Sequence, residues 1–332
     1  MQELLERLFP GLAPALEPIG GGKSGASICW VRRPGEPPLV LKVLRPGDIP
    51  VHLREGHGAF EAAEYRFYTE LLPKLGVPAP QIHAAGRLDD GGTYLLMEDL
   101  TVAHRLLPEG HVWSEEELRS ILALYAQLHG RSLRLFAAEP IPDWLQPDPR
   151  HEYRPQMVLD CLTELAANDW TREPAARLLA APGLPALLER VAADLAALPP
   201  GLLYNDFYPG NVAIPKAGGP AKLYDWQLAG SGPIAVDLCN IGLLEGGAAF
   251  AAVDSAPLLE FYLDELARET GARIPTADFR ADVHTASLLN QAVFLPFIVR
   301  AMRRCNVGGR QFSEWMAESY DACIRVFTEA LG

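Results

Sequence analysis

Three polar residues stand out against apolar surroundings: Asp206, Asn211 and Asp225. The first two lie in LLYNDFYPGNVAI, the third in AKLYDWQLAGSGPIAVDL. The tight Pro209-Gly210 loop between Asp206 and Asn211 lets both side chains face one space. Asp225 follows a short apolar run, so its carboxylate can project from a strand end. One carboxylate as a base, with a second carboxylate and an amide as hard oxygen ligands for Mg²⁺, is the set that phosphoryl transfer asks for. The plain alternative is that the aspartates cap helices or turns. That alternative is kept for Asp237, which is expected to brace the 204–211 loop.

Lysine is rare here. Of 29 basic residues only five are lysines: Lys23, Lys42, Lys74, Lys216 and Lys222. Lys42 sits inside LVLKVL, where its ammonium must be buried, snorkelling or paired. It could be an edge-strand lysine reaching water. It could equally hold nucleotide phosphates, oriented by a glutamate on the following helix. Glu64 is the favoured partner and Glu61, three residues earlier, the rival.

Gly20-x-Gly22-x-x-Gly25 matches a dinucleotide-binding pattern, but that needs a helix to start at the loop. Here Ser27-Ile28-Cys29-Trp30-Val31 follows, a β-type run. Gly22-Lys23-Ser24 looks like a Walker motif, yet position 17 is Glu17 and no helix follows. A strand–loop–strand lid over phosphates fits the flanks best. A plain hairpin turn is the alternative.

The elements that would hold these residues can be read in outline. Residues 1–10 suggest a short helix ended at Pro10. Strands are expected at 27–31, 39–44, 81–88 and 93–97, with a helix over 55–72 that Pro73 ends. Ser114-x-x-Glu117 is a capping box opening a helix with Leu118, Ile121, Leu122, Tyr125 and Leu128 on one face. Further helices are expected at 155–169, 183–197 and through 254–332, and short strands near 202–203, 212–214 and 221–224. The expected organisation is an α+β chain of two lobes. A small antiparallel-sheet lobe spans 1–98, and a larger, mainly helical lobe spans 99–332.

Composition narrows the partners. The chain has 332 residues, 49% of them hydrophobic, which is enough for a large core and excludes wholesale disorder. The net charge of −13 argues against nucleic acid, whose phosphates need a basic face. Five widely spaced cysteines without a CxxC pair fit reduced thiols better than disulfides or zinc. The N-terminus has no signal-peptide pattern, and the apolar stretch 292–299, broken by Pro296, is too short to span a bilayer. A cytoplasmic protein without a membrane partner is expected.

Taken in order, these segments resemble the aminoglycoside phosphotransferase and choline kinase-like family, which has a protein-kinase-like fold. The matching residues are Gly20–Gly25, Lys42, Glu64-x-x-x-Tyr68, Pro78-x-Pro80, the hinge Tyr94–Leu100, Tyr204-Asn205-Asp206, Asn211, Tyr224-Asp225-Trp226, Gly232-Pro233 and Asp237-Leu238. They span about residues 15–245. The resemblance implies an ATP- and Mg²⁺-dependent kinase that phosphorylates a small-molecule hydroxyl. Asp206 would be the catalytic base, and Asn211 and Asp225 the Mg²⁺ ligands. Gly20, Gly22, Ser24, Gly25, Lys42, Glu64, Met97, Glu98 and Leu100 would form the nucleotide site, with the Glu98 and Leu100 backbone on the adenine.

The departures are Tyr204 and Asn205 where the family has His-Gly, and Gln227 where it has Glu. Asn tolerates positive φ well, so Asn205 can keep the turn. A catalytically impaired nucleotide-binding or scaffold protein of the same fold is the alternative. A protein kinase is disfavoured, because only seven residues separate Asp225 from Pro233. The surplus of acidic residues leans toward a cationic acceptor.

Overall fold

The computed structural model describes residues 2–12, 14–20, 25–49, 60–108, 110–145, 153–241, 253–308 and 314–332. The chain forms two compact units. The first comprises Met1–Gln146, Gly201–Ser231 and Leu243–Arg273, and the second Pro147–Pro200, Gly232–Gly242 and Ile274–Gly332. The lobe boundary expected at 98/99 falls inside the first unit.

The first unit opens with helix α1 (Gln2–Leu8) and a five-stranded antiparallel sheet. Its strands are β1 (Ala15–Pro18), β2 (Ser27–Arg32), β3 (Leu39–Leu44), β4 (Ile82–Arg87) and β5 (Thr93–Glu98), in the order β1-β2-β3-β5-β4. β1 was not expected: all four of its residues are exposed and show no alternation. In β3 the period of two decides everything. Leu39, Leu41 and Val43 face a core built with Leu4, Leu5 and Phe9 of the α1 region. Lys42 therefore faces the other way, between Ile28 on β2 and Leu95 on β5. Both faces are covered, so an otherwise apolar strand carries one buried ammonium.

Helix α2 (Phe60–Arg66) runs into a π-helical turn, Phe67–Leu71, and then into α3 (Leu72–Leu75). The helix does not end at Pro73. The Leu72 N–H donates to Phe67 O across the wider turn, so Pro73 stands at the start of a new helical segment. There its missing N–H costs nothing. The stop comes at Gly76, with φ 60°.

Helix α4 (Glu115–Ala138) follows, with the capping box present in both directions. Strand β6 (His104–Leu106) precedes it. Strands β7 (Pro200–Leu203), β8 (Val212–Pro215) and β9 (Lys222–Leu223) come later, and β6-β8-β9 form a small sheet. The Leu202 N–H donates to Ser132 Oγ at 2.8 Å, fixing β7 on α4. Helix Ser255–Thr270 packs on α4 across Gly130, where a Cβ would meet the Glu269 Cβ at 2.4 Å. Buried His129 bonds the Tyr262 hydroxyl at 2.8 Å in the same interface, as a structural histidine.

The second unit is helical. It contains Pro155–Ala166, Arg172–Leu179, Leu184–Ala196, Ala235–Ile241, Thr276–Gly308 and Glu314–Leu331. Arg172–Leu179 was not expected; its Glu173-Pro174 start reads as a break, but Pro is at home in a first helical turn. The 28 residues Thr276–Arg303 include an 18-residue window of mean hydropathy 1.3, long and apolar enough to cross a membrane, whereas the sequence suggested only a short apolar stretch. Polar residues such as Asp282 and Gln291 interrupt the apolar run without interrupting the helix. Half of that window is buried inside the protein. Cys29, Cys161, Cys239 and Cys323 are free thiols.

Candidate active site

The residues singled out by type and spacing gather in the first unit. Lys42 Nζ lies 2.7 Å from Glu64 Oε2 and 2.8 Å from Asp225 Oδ1. Lys42 and Glu64 are 6% exposed each, so the pair is shielded from solvent. Burial alone would lower the Lys42 pKa; the adjacent carboxylates outweigh it and hold the ammonium above its usual range. Burial pushes Glu64 up against the pull of Lys42. Glu64 also accepts the Trp226 backbone N–H. The side chain of its rival Glu61 lies outside the described residues.

A hairpin brings the remaining residues together. Asn211 closes the turn Pro209–Asn211, and β8 and β9 then pair Val212 with Leu223 and Ala213 with Lys222. The Tyr224 N–H donates to Asn211 O at 3.2 Å at the open end. Positions 211 and 225, distant in sequence, therefore emerge side by side. Asn211 Nδ2 donates to Asp206 Oδ2 at 2.8 Å and to Asp206 O at 3.1 Å. With the nitrogen committed, the amide Oδ1 is turned away from Asp206.

Two backbone positions are strained. Asn205 has φ 64° and Asp225 φ 63°. These are among the residue types that best tolerate left-handed backbone. Asn205 supports its own turn, its Nδ2 donating to Leu228 O at 3.1 Å. The expectation that Asn replaces Gly without losing the turn is met.

Tyr204, in the family's His position, is fully buried. Its hydroxyl donates to the Tyr224 carbonyl and lies 3.5 Å from the Asn211 carbonyl. Its ring meets Trp226 edge-on at 4.7 Å, and Trp226 stacks on Phe67 at 3.8 Å. An aromatic contact thus links the Asp206 loop, the Asp225 turn and the helix that carries Glu64. Burial pushes the Tyr204 hydroxyl well above its usual pKa, which keeps it a donor. The sequence marked Tyr204 as a departure and Trp226 as motif, but Phe67 was indistinguishable from ordinary core.

The hinge segment is also organised. Met97 is buried in β5, opposite Val40 and Ile82. The Glu98 N–H donates to Gln81 O at 2.9 Å, and its carboxylate accepts the Gln81 N–H at 2.8 Å. Lys222 pairs with the same carboxylate. Leu100 O accepts the His104 N–H at 2.8 Å. Lys222 was missed as a hinge contact, although the scarcity of lysine was a signal.

In the glycine loop, Gly22 and Ser24 lie outside the described residues, and Gly20 and Gly25 flank them. Gly25 has φ 84°, and a Cβ there would meet Asp48 O at 2.0 Å. Glycine is required at that position. Gln227 is buried with its Nε2 unpartnered. Asp237 is buried in the first turn of Ala235–Ile241, in the second unit.

The donor set suits Mg²⁺. One carboxylate and one amide oxygen emerge together, and Asp225 already keeps company with a cation. Among the described residues no three His, Cys, Asp or Glu side chains cluster as a cage.

The model of the phosphotransferase enzyme family matches residues 15–274. No curated protein matches the sequence. Solved structures share the fold at low identity. The choline kinase LicA from Streptococcus pneumoniae is 14% identical with TM-score 0.58, covering 99% of this chain and 97% of that one. The GDP complex of wild-type aminoglycoside 2'-phosphotransferase-IIIa is 13% identical with TM-score 0.57, over 99% and 98%. A microcompartment-associated aminopropanol kinase is 14% identical with TM-score 0.54, over 99% and 94%. The resemblance in fold seen in the sequence is thereby established.

Proposed function

This chain belongs to the phosphotransferase enzyme family, and from that premise we propose that it is an ATP- and Mg²⁺-dependent kinase of a small hydroxyl compound. The observation that carries the reading is Lys42 held between Glu64 and Asp225, together with an Asp206 carboxylate fixed by Asn211. We read residues 1–98 as the nucleotide lobe and 99–332 as the catalytic and acceptor lobe, in a cytoplasmic enzyme.

Each residue has a part. Lys42, kept charged, binds the α- and β-phosphates, and Glu64 fixes its direction. Gly20, Gly22, Ser24 and Gly25 cover the triphosphate with backbone N–H groups. The adenine packs against Met97 and bonds the Glu98 carbonyl and the Leu100 N–H; the Glu98 N–H already serves Gln81 O. Asn211 Oδ1 and Asp225 would hold Mg²⁺, which when bound neutralises charge on the transferring phosphate.

Asp206 accepts the proton of the acceptor hydroxyl as its oxygen attacks phosphorus. Asn211 fixes the Asp206 carboxylate through one of its oxygens, which orients the group as a base. Little covalent chemistry is asked of the protein; it positions and neutralises.

The names choline kinase, aminoglycoside phosphotransferase and aminopropanol kinase all denote enzymes of hydroxyl-bearing amines. Together with a net charge of −13, this supports a cationic acceptor. The competing reading, a nucleotide-binding or scaffold protein without catalysis, rested on Tyr204-Asn205. The kept turn at Asn205 and the bonded Tyr204 hydroxyl speak against it. A screen of hydroxyl compounds for ATP consumption tests the choice. Turnover with an amino alcohol is expected. Mg²⁺-dependent ATP binding without turnover across a broad library would favour the competitor.

A further inference from the structure

Tyr204 is one of the positions where this chain departs from its family pattern, and its surroundings give the departure a use. We propose that the Tyr204 hydroxyl is a positioning group for the cation site, setting the spacing between Asn211 and Asp225. The inference rests on the reading of those two residues as Mg²⁺ ligands.

The hydroxyl sits at the open end of the β8–β9 hairpin. It donates to the carbonyl of Tyr224, the residue before Asp225, and lies 3.5 Å from the carbonyl of Asn211. A single hydroxyl thus touches the backbone next to one ligand and the backbone of the other. The Tyr224 N–H adds a parallel tie to Asn211 O at 3.2 Å. The ring is wedged edge-on against Trp226 at 4.7 Å and Tyr125 at 6.4 Å, so the hydroxyl has little freedom to swing.

The need for such a tie follows from the backbone. Asp225 has φ 63°, a left-handed conformation that carries some backbone cost even for Asp, which tolerates it better than most residues. Anchoring the preceding carbonyl fixes the peptide plane from which Asp225 departs. The geometry therefore assigns Tyr204 a role in aiming ligands and none in touching substrate.

Tyr204→Phe removes the hydroxyl and keeps the ring. Mn²⁺ binding to the ADP complex, followed by electron paramagnetic resonance, reads the cation site without turnover. Tyr204→Phe should weaken Mn²⁺ by about 3- to 10-fold, the range of one hydrogen bond, and shift the Mg²⁺ dependence of kcat in parallel. Binding of ADP alone should stay as in the wild type. Wild-type Mn²⁺ affinity in Tyr204→Phe, with the wild-type protein binding normally, would overturn the proposal and leave the kinase reading standing. A wild-type protein that binds no Mn²⁺·ADP would overturn both. Should Tyr204→Phe not fold, Tyr204→Leu, which likewise lacks a donor, takes its place and is read against the same two outcomes.

Discussion

Two buried glutamates in the first unit are paired with cations, and they do different things. Glu117 is satisfied locally. It accepts the Ser114 N–H and hydroxyl, meets His111 at 2.9 Å, and pairs with Arg105 at 2.5 Å. All of these partners lie within twelve residues of it. Glu64 instead reaches Lys42 on another element, and Lys42 in turn reaches Asp225 across 183 positions. A carboxylate tied to its own neighbourhood caps a helix. One that ties distant segments through a shared lysine assembles a site. The residue types barely differ; the reach of the contacts does.

That contrast can be broken. Within the long-range site, Asp206→Ala should lower kcat by about 10²–10⁴, the usual worth of a general base, while ATP binding persists. Single-turnover rates beside a nucleotide titration check both halves. Full activity in this variant would remove the site reading altogether. Glu64→Gln keeps shape and loses charge. Its ATP-dependent kcat/KM should fall about 10- to 100-fold, as for a lost bond between charged groups.

The local cluster should behave in the opposite way. Burial works against the Glu117 carboxylate, but bonds from Ser114, His111 and Arg105 win and lower it from 4.5 to about 2. A depressed folded-state value contributes stability that is full above pH 4.5 and fades as pH falls through 2. Glu117→Ala should cost about 2–3 kcal/mol at pH 7 and flatten the acid limb of the stability curve. Urea unfolding at several pH values measures it, and kcat per folded molecule should hold. A large loss of kcat would blur the division between cap and site. The smallest effect is expected at Gln227, whose buried Nε2 lacks a partner. Gln227→Met should leave stability within about 1 kcal/mol of wild type, or raise it.

Legibility in the sequence followed the same division. The Ser114–Glu117 box was readable because both partners are three residues apart and the motif is local. Lys42 was readable because a charge inside an apolar strand is costly without a partner. The strands, except β1, β6 and β10 (Gly230–Pro233), came from period and turn residues. Those three are short, exposed or glycine-rich, so they carry no pattern. The π-turn after Arg66 was hidden because Pro73 reads as a stop, and a wider turn that re-starts the helix leaves no mark in residue type. Phe67 on Trp226, and Lys222 on Glu98, join segments whose proximity only the fold creates.

The β8–β9 hairpin carries one more consequence. Its base aligns Asn211 with Asp225, while its tip, Lys216 to Pro220, is exposed and turns through Gly218 and Gly219, with φ 63° and 106°. Loop tips of this kind accept added or removed residues. The interval of fourteen along the chain is therefore not what sets the pair of oxygens, and it is free to drift. A search for kin that demands a fixed count between Asn and Asp would overlook chains whose hairpin had merely grown. A biosensor designer could splice a reporter into that tip and keep the pair in register.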